Sequence, residues 1–265
     1  MFFIKYPKIN FGTYRLGDKT FKSLEYAFSN GYTSIDTASL YKNEEFIGNF
    51  LGKYQVPRND IWITSKLNPK VIIDTPHEII KSITKTLTDL NTPYLDLYLI
   101  HCPKEEHIIK CWDILEQFQK KGIFRNIGVS NFDIPHMETI KQFSSSLNPI
   151  FTNQIELSPF LKRSNIVKYL AENNIKISAH SSLTKGEKFN DPTIIKISQK
   201  YSKSPAQILL KWALQNNFYI IPRSSNLEHI IEDISLDFEI DEKDMNELND
   251  IQITHITHPQ YKYAF

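Results

Sequence analysis

The chain has 265 residues, 41% of them hydrophobic, 12% aromatic and 23% charged, which is a globular composition with enough apolar residues for a substantial core. A formal net charge of +1, with no basic cluster, leaves no electrostatic footprint for a nucleic acid. The two cysteines, Cys102 and Cys111, exclude a disulfide scaffold and suit a reducing compartment; no apolar run approaches the ~18 residues of a membrane span, and the opening Met1–Pro7 breaks too early for a signal peptide, so a cytoplasmic location is expected.

No low-complexity linker or charge block divides the chain, so one domain is expected over residues 1–265. Short apolar runs rich in Ile and aromatic residues predict strands at Ile9–Thr13, Ser34–Ala38, Ile61–Leu67 and Leu95–His101. Four more are expected at Asn126–Asn131, Phe151–Glu156, Lys176–Ser181 and Tyr219–Ser224. Between the first two, Phe21, Leu24 and Phe28 mark a helix that Asn30-Gly31 closes. Thr75-Pro76-His77-Glu78 reads as a capping box with proline at the first helical position. Ile79, Ile80, Ile83, Leu87 and Leu90 follow as one apolar face. Ser204-Pro205 starts another helix, carrying Ile208, Leu209, Trp212 and Ala213.

This alternation implies crossover units and a parallel sheet. An open, doubly wound sheet usually announces itself with G-x-G-x-x-G after the first strand. Here that strand runs into Phe11-Gly12-Thr13-Tyr14, without such a loop. Eight strand–helix units in a chain near the usual size of ~250 residues favour a closed (β/α)8 TIM barrel.

Active sites of such barrels lie at the C-terminal ends of the strands. Asp36 ends the second predicted strand, with Tyr41 in the following loop. Lys66 lies near the end of the third, and His101 ends the fourth. Ser130-Asn131 ends the fifth, and Gln154 lies in the sixth. The first four suit proton transfer to a carbonyl oxygen. A phenol of pKa ~10 is a weak acid at neutral pH, and a neighbouring ammonium acidifies it. Lys66 would supply the ammonium, Asp36 would orient Lys66, and His101 would direct the carbonyl oxygen. Taken singly, each has a plainer reading. Asp36-Thr37 could merely cap a turn, Tyr41 could be structural, and His101 could be a satisfied core histidine. Lys66 is harder to dismiss, because an unpaired buried ammonium is costly. Their order and strand-end placement carry the argument.

At this point the sequence resembles the aldo-keto reductases over nearly its whole length. Gly31-Tyr32-Thr33-Ser34-Ile35-Asp36-Thr37-Ala38, followed by Tyr41, Asn43-Glu44 and Gly48, is similar to the family's first signature. Leu95–Pro103 resembles its fourth-strand motif. Ile127–Phe132, Asn153–Glu156 and Ile221–Ser224 resemble later ones. The resemblance implies a catalytic tetrad of Asp36, Tyr41, Lys66 and His101, with Tyr41 as general acid. It implies NADP(H) extended across the barrel mouth, its carboxamide held by Ser130, Asn131 and Gln154. His180, Ser181, Leu183, Arg223, Ser224, His229, Glu232 and Asp233 complete the implied cofactor site. Of these, Arg223 and Ser224 fall where the family grips the 2′-phosphate, a task suited to a planar guanidinium. The implied substrate pocket is lined by Tyr14, Trp62, Cys102 and Phe132.

Departures from the family pattern stand out. His180 replaces the usual nicotinamide-stacking tyrosine, and His229 replaces an arginine of the adenosine site. Arg223 stands for a lysine, Asp233 for an asparagine and Cys102 for a tryptophan. For Cys102, packing is the favoured reading over a reactive thiol. The tail His258–Phe265 is aromatic and either folds over the mouth or frays. The expected function is NADPH-dependent reduction of aldehydes or ketones to alcohols by a monomer. The alternative is an NADPH-binding regulatory or redox-sensing barrel with little turnover. No His/Asp/Glu cluster has ligand spacing, so no metal is expected.

Overall fold

A computed structural model describes residues 4–146 and 149–259. Eight strands form one parallel sheet in sequence order: β1 (Phe11–Gly12), β2 (Ser34–Asp36), β3 (Trp62–Leu67), β4 (Leu95–Ile100), β5 (Phe124–Ser130), β6 (Thr152–Glu156), β7 (Lys176–His180) and β8 (Tyr219–Ile220). The sheet closes on itself. Ile9 bridges Ile220 in parallel, Asn10 N–H donates to the Ile220 carbonyl at 2.8 Å, and Gly12 N–H donates to the Pro222 carbonyl at 2.8 Å. Gly12 lies so near the last strand that a Cβ there would meet Ile221 and the Pro222 carbonyl oxygen at 3.1 Å. The result is the expected (β/α)8 barrel.

All eight predicted strands are present, several of them shorter. The last is cut to Tyr219–Ile220 because Pro222 has no N–H to continue a ladder. Helices α1 (Thr20–Ser29), α2 (Glu44–Tyr54), α3 (Pro76–Asp89), α4 (Ile108–Lys120), α5 (Ile134–Phe143) and α6 (Ser164–Glu172) fill the first six crossovers. The seventh holds two helices, α7 (Pro192–Tyr201) and α8 (Pro205–Gln215); α9 (Leu227–Ile234) and α10 (Glu242–Asn249) follow β8. Gly31, at φ 95°, ends α1 in the left-handed region that the expected stop requires. Thr75 caps α3 by accepting from Glu78 N–H, but the reciprocal half of the expected box is not formed; Glu78 pairs with Lys81 instead. On the same helix Ile79, Ile83 and Leu90 are buried, whereas Ile80 is 39% exposed, since it lies one residue off the inward stripe. Ser204 and Gln207 form a complete capping box on α8.

The floor of the barrel is aromatic. Tyr6 stacks on Tyr219 with ring centroids 4.4 Å apart and lies 4.8 Å from Trp62, which in turn stacks on Phe151. This plug is packed apolar surface, so the accessible end is the opposite one, where the strands terminate.

Candidate active site

Along β3 the side chains alternate in direction, so Trp62, Thr64 and Lys66 share the barrel interior. The Trp62 indole N–H donating to Thr64 Oγ1 at 3.0 Å confirms that shared face. Trp62 opens the strand and belongs to the floor, while Lys66 nears its end at the mouth. Four residues of strand, ~13 Å, separate the two. Trp62 is therefore not a pocket residue, which corrects the expectation for it.

Lys66 is fully buried, and its ammonium has three acceptors for its three protons. They are Asp36 Oδ1 at 2.5 Å, the Thr37 carbonyl at 2.9 Å and Tyr41 Oη at 3.5 Å. Asp36 Oδ2 accepts from Gln154 Nε2 at 2.7 Å, so neither charge of the buried pair is left without hydrogen bonds. Tyr41 stands with its ring edge-on to His101, centroids 5.7 Å apart, and 4.9 Å from the ring of Tyr14. The four residues expected to act together are thus brought together.

Burial holds the Tyr41 phenol well above its ordinary range, and the charge of Asp36 and then Tyr14 push the same way. The expected acidification of Tyr41 by Lys66 is outweighed, first by burial and then by the charge of Asp36. The phenol consequently keeps its proton across the neutral range. Burial, with Lys66 second, pushes His101 down to about 3, so its imidazole is neutral. His101 Nδ1 is buried and has no hydrogen-bond partner among the described residues.

These groups open into a cleft of about 440 Å³ at the strand ends. One wall carries Ser130, Asn131, Gln154 and His180. Ser130 Oγ donates to the Gln154 carbonyl at 2.9 Å, and Asn131 Nδ2 donates to the His101 carbonyl at 3.0 Å. His180 Nε2 lies 2.9 Å from Asn131 Oδ1, and its Nδ1 lies 3.0 Å from Ser181 Oγ. The ring is tied at both nitrogens, and burial, then His258, keeps its pKa well below the usual histidine range. Ser181, Leu183, Arg223, Ser224 and His229 also line the cleft, with Arg223 and His229 exposed at one end. Glu232 and Asp233, on α9 behind His229, do not line it. Asp233 is buried.

Of the four expected pocket residues only Tyr14 lines the cleft. Phe132 is fully buried against His136, ring centroids 5.6 Å apart, because the chain turns inward there to enter α5. Cys102 is buried beyond the mouth, and burial raises its thiol, as suits the packing reading.

Among the lining residues outside the expected set, Arg15, Lys185 and His258 carry ionisable side chains. Arg15 and Lys185 follow β1 and β7, so the strand-end rule applied to every strand would have found them. His258 comes from the tail. Glu156 accepts from the N–H groups of Thr257 at 2.5 Å and His258 at 3.0 Å, and Lys185 donates to the Thr257 carbonyl at 3.0 Å. This sets the His258 ring edge-on to His180 at 5.9 Å and to Tyr14 at 6.4 Å. Residues 260–265 of the tail lie outside the described residues.

Among the described residues no group of three or more His, Cys, Asp or Glu side chains could hold a metal ion, and no helix is long and apolar enough to cross a membrane. A closed barrel whose mouth gathers a buried lysine–aspartate pair, a protonated tyrosine and a neutral histidine defines an enzyme of carbonyl chemistry. The family model described as "Aldo/keto reductase family" matches residues 8–194, and the chain belongs to that family. It is 34% identical to the glyoxal reductase of Bacillus subtilis over 250 residues, 93% of this chain and 89% of the relative. It is 34% identical to a methylglyoxal reductase of Salmonella typhimurium, over 91% of each chain. Among solved structures, an aldo-keto reductase from a Medee basin deep-sea metagenome library superposes with a TM-score of 0.88 at 28% identity over 95% of each chain. The aldose reductase of Schistosoma japonicum gives 0.87 at 27% identity, covering 96% of this chain and 91% of that one. The protein is accordingly a nicotinamide-dependent oxidoreductase that reduces carbonyls, and these reductases do not favour the regulatory alternative.

Proposed function

We propose that the protein reduces small aldehydes, α-oxoaldehydes first among them, with NADPH, and that Tyr41 is the proton donor. The observation that carries this reading is the linked set Gln154–Asp36–Lys66–Tyr41 beside a neutral His101. The relatives named as glyoxal and methylglyoxal reductases support the substrate class.

The residues present fit a nicotinamide dinucleotide. Gln154 Nε2 is engaged with Asp36, which leaves Oε1 as an acceptor on the cleft wall for a carboxamide. Arg223 offers an exposed guanidinium at the end of the cleft for a 2′-phosphate, with Ser224 and His229 beside it. Lys185 adds a further cation, on the loop after β7. When bound, the cofactor supplies the hydride.

Negative charge develops on the carbonyl oxygen as the carbon is reduced, and that oxygen needs a proton. Tyr41 Oη holds one over the working pH range. Lys66, 3.5 Å away, stabilises the phenolate left behind, and Asp36 fixes Lys66 in place. Neutral His101 orients the carbonyl oxygen toward Tyr41. Tyr14 and His258 wall the substrate end and exclude water. A monomer in the cytoplasm is part of the same proposal. NADPH oxidation by the purified protein with methylglyoxal, glyoxal and nitrobenzaldehydes tests the reading; bound NADPH without turnover on any of them would overturn it.

A further inference from the structure

We propose that Glu44 is a positioning residue for proton delivery, clamping the loop that carries Tyr41 onto the strand that carries Lys66, while Asn43 ties the same loop to the segment after β1. The inference rests on the reading of Tyr41 and Lys66 given above.

Neither side chain does what its place in the chain would suggest. Asn43 precedes α2 at the N-cap position, yet it makes no capping bond. Its Oδ1 accepts from Thr37 Oγ1 at 2.9 Å, and its Nδ2 donates to the Thr13 carbonyl at 2.8 Å. Glu44 is the first residue of α2, where a carboxylate is usually solvated and favoured by the helix dipole. Here it is 4% exposed and accepts from Ser65 Oγ at 2.5 Å and Thr86 Oγ1 at 3.0 Å.

The partners are informative. Ser65 is the neighbour of Lys66 and points to the outer face of β3, so Glu44 grips the strand from behind the catalytic lysine. Ser39 Oγ donates to the Lys66 carbonyl at 3.0 Å, and Lys66 Nζ donates to the Thr37 carbonyl at 2.9 Å. The segment from Thr37 to Glu44, with Tyr41 inside it, is thereby fastened to β3 at its start, its middle and its end. Gly48, one turn along α2, makes the approach possible. A Cβ there would lie 2.1 Å from the Asp89 carbonyl oxygen, so only glycine lets α2 close on the end of α3 and bring Glu44 to Thr86.

The clamp is held at a cost to stability. Burial pushes the Glu44 carboxyl up to about 7, against the lowering effect of the bonds from Ser65 and Thr86; Asp89 raises it further and Lys66 lowers it. The charged and titratable groups facing it are Lys66 on β3, Lys85 and Asp89 on α3, and Tyr98 on β4. Two hydroxyls could be held by a neutral amide, without a buried carboxylate at neutral pH.

The test uses the full chain, with kcat for methylglyoxal at saturating NADPH expressed per NADPH-binding site. Glu44→Ala is expected to lower kcat at least ~10-fold, because ~1 Å of misplacement can cost 10²-fold, with carbonyl KM and NADPH Kd within ~2-fold of the parent. Ser65→Ala is expected to lower kcat in the same sense and by less. Glu44→Gln should restore most of the rate while altering the pH profile of kcat near neutrality. Unchanged kcat per binding site in Ser65→Ala, with an unchanged pH profile in Glu44→Gln, would overturn the proposal even if Glu44→Ala failed to fold. Tyr41→Phe is measured alongside. If it stays active, the reading of the site fails; if it is inactive while Glu44 and Ser65 variants match the parent, only the clamp fails.

Discussion

Gln154 Nε2 lies 2.7 Å from Asp36 Oδ2, so the side chain proposed to hold the cofactor is also a hydrogen-bond partner of the carboxylate that pairs with Lys66. On the proposed reading, cofactor binding and proton delivery share one buried hydrogen-bond network. Gln154→Leu should therefore damage both. NADPH affinity is expected to fall up to ~10-fold for the lost bond to a neutral carboxamide, and kcat should fall as well because a bond to the Asp36 carboxylate is lost with it. Fluorescence titration and steady-state kinetics would show the joint loss; a change in affinity alone would mean that Asp36 does not need the contact.

His180 replaces an aromatic platform with a ring tied to Asn131 and Ser181. His180→Tyr would bring more ring area, worth ~0.5–1.5 kcal/mol against another ring, but would release Asn131 Oδ1 in a buried place, at a cost of ~1–3 kcal/mol. The net expectation is weaker NADPH binding in the variant. Tighter binding on titration would show that ring area outweighs the lost bond.

Arg223 is exposed, so its contact with a 2′-phosphate would be sensitive to salt. Arg223→Ala is expected to cut the preference for NADPH over NADH by ~10-fold at low ionic strength, toward the lower end for a charge-assisted bond. Equal affinity for the two cofactors in the parent protein would rule out this role.

Two buried carboxyls make the fold sensitive to pH. Burial raises Glu44 from 4.5 to about 7, and burial, then Glu232, raises Asp233 from 3.8 to about 7. A carboxyl whose pKa is higher folded than unfolded binds more protons in the native state. Stability is then greatest below the unfolded pKa and is lost as pH rises through about 4 to 7, levelling beyond. For Glu44 alone the shift corresponds to about 3 kcal/mol. Glu44→Gln should leave the melting temperature at pH 5 nearly unchanged and raise it by several degrees at pH 8. A lower melting temperature at pH 8 would contradict this.

The barrel and the meeting of Asp36, Tyr41, Lys66 and His101 at its mouth were legible because both follow from local patterns. Apolar runs of strand length mark the eight strands, and Asp36, Lys66 and His101 each lie at or next to the end of one. Depth along a strand was harder to read. Trp62 shares its face with Lys66 but sits at the floor, and Phe132 follows a strand end yet turns into the core. For His258 the sequence left two alternatives, folding over the mouth or fraying, and could not decide between them. Its place depends on a carboxylate at Glu156 meeting backbone N–H groups 101 and 102 positions later, and no local pattern encodes such a contact.

The role of Tyr41 is tested most directly by Tyr41→Phe, with kcat for methylglyoxal and NADPH Kd measured on the same preparation. Phenylalanine keeps the ring against Tyr14 and His101 and removes only the hydroxyl that faces Lys66. General acid catalysis contributes ~10²–10⁴-fold, and a hydrogen bond to the developing oxyanion is lost with it, so kcat should fall ~1,000-fold while Kd stays nearly constant. A variant that retained more than about a tenth of the parent kcat would show that Tyr41 is not the acid, since that loss is smaller than general acid catalysis usually produces.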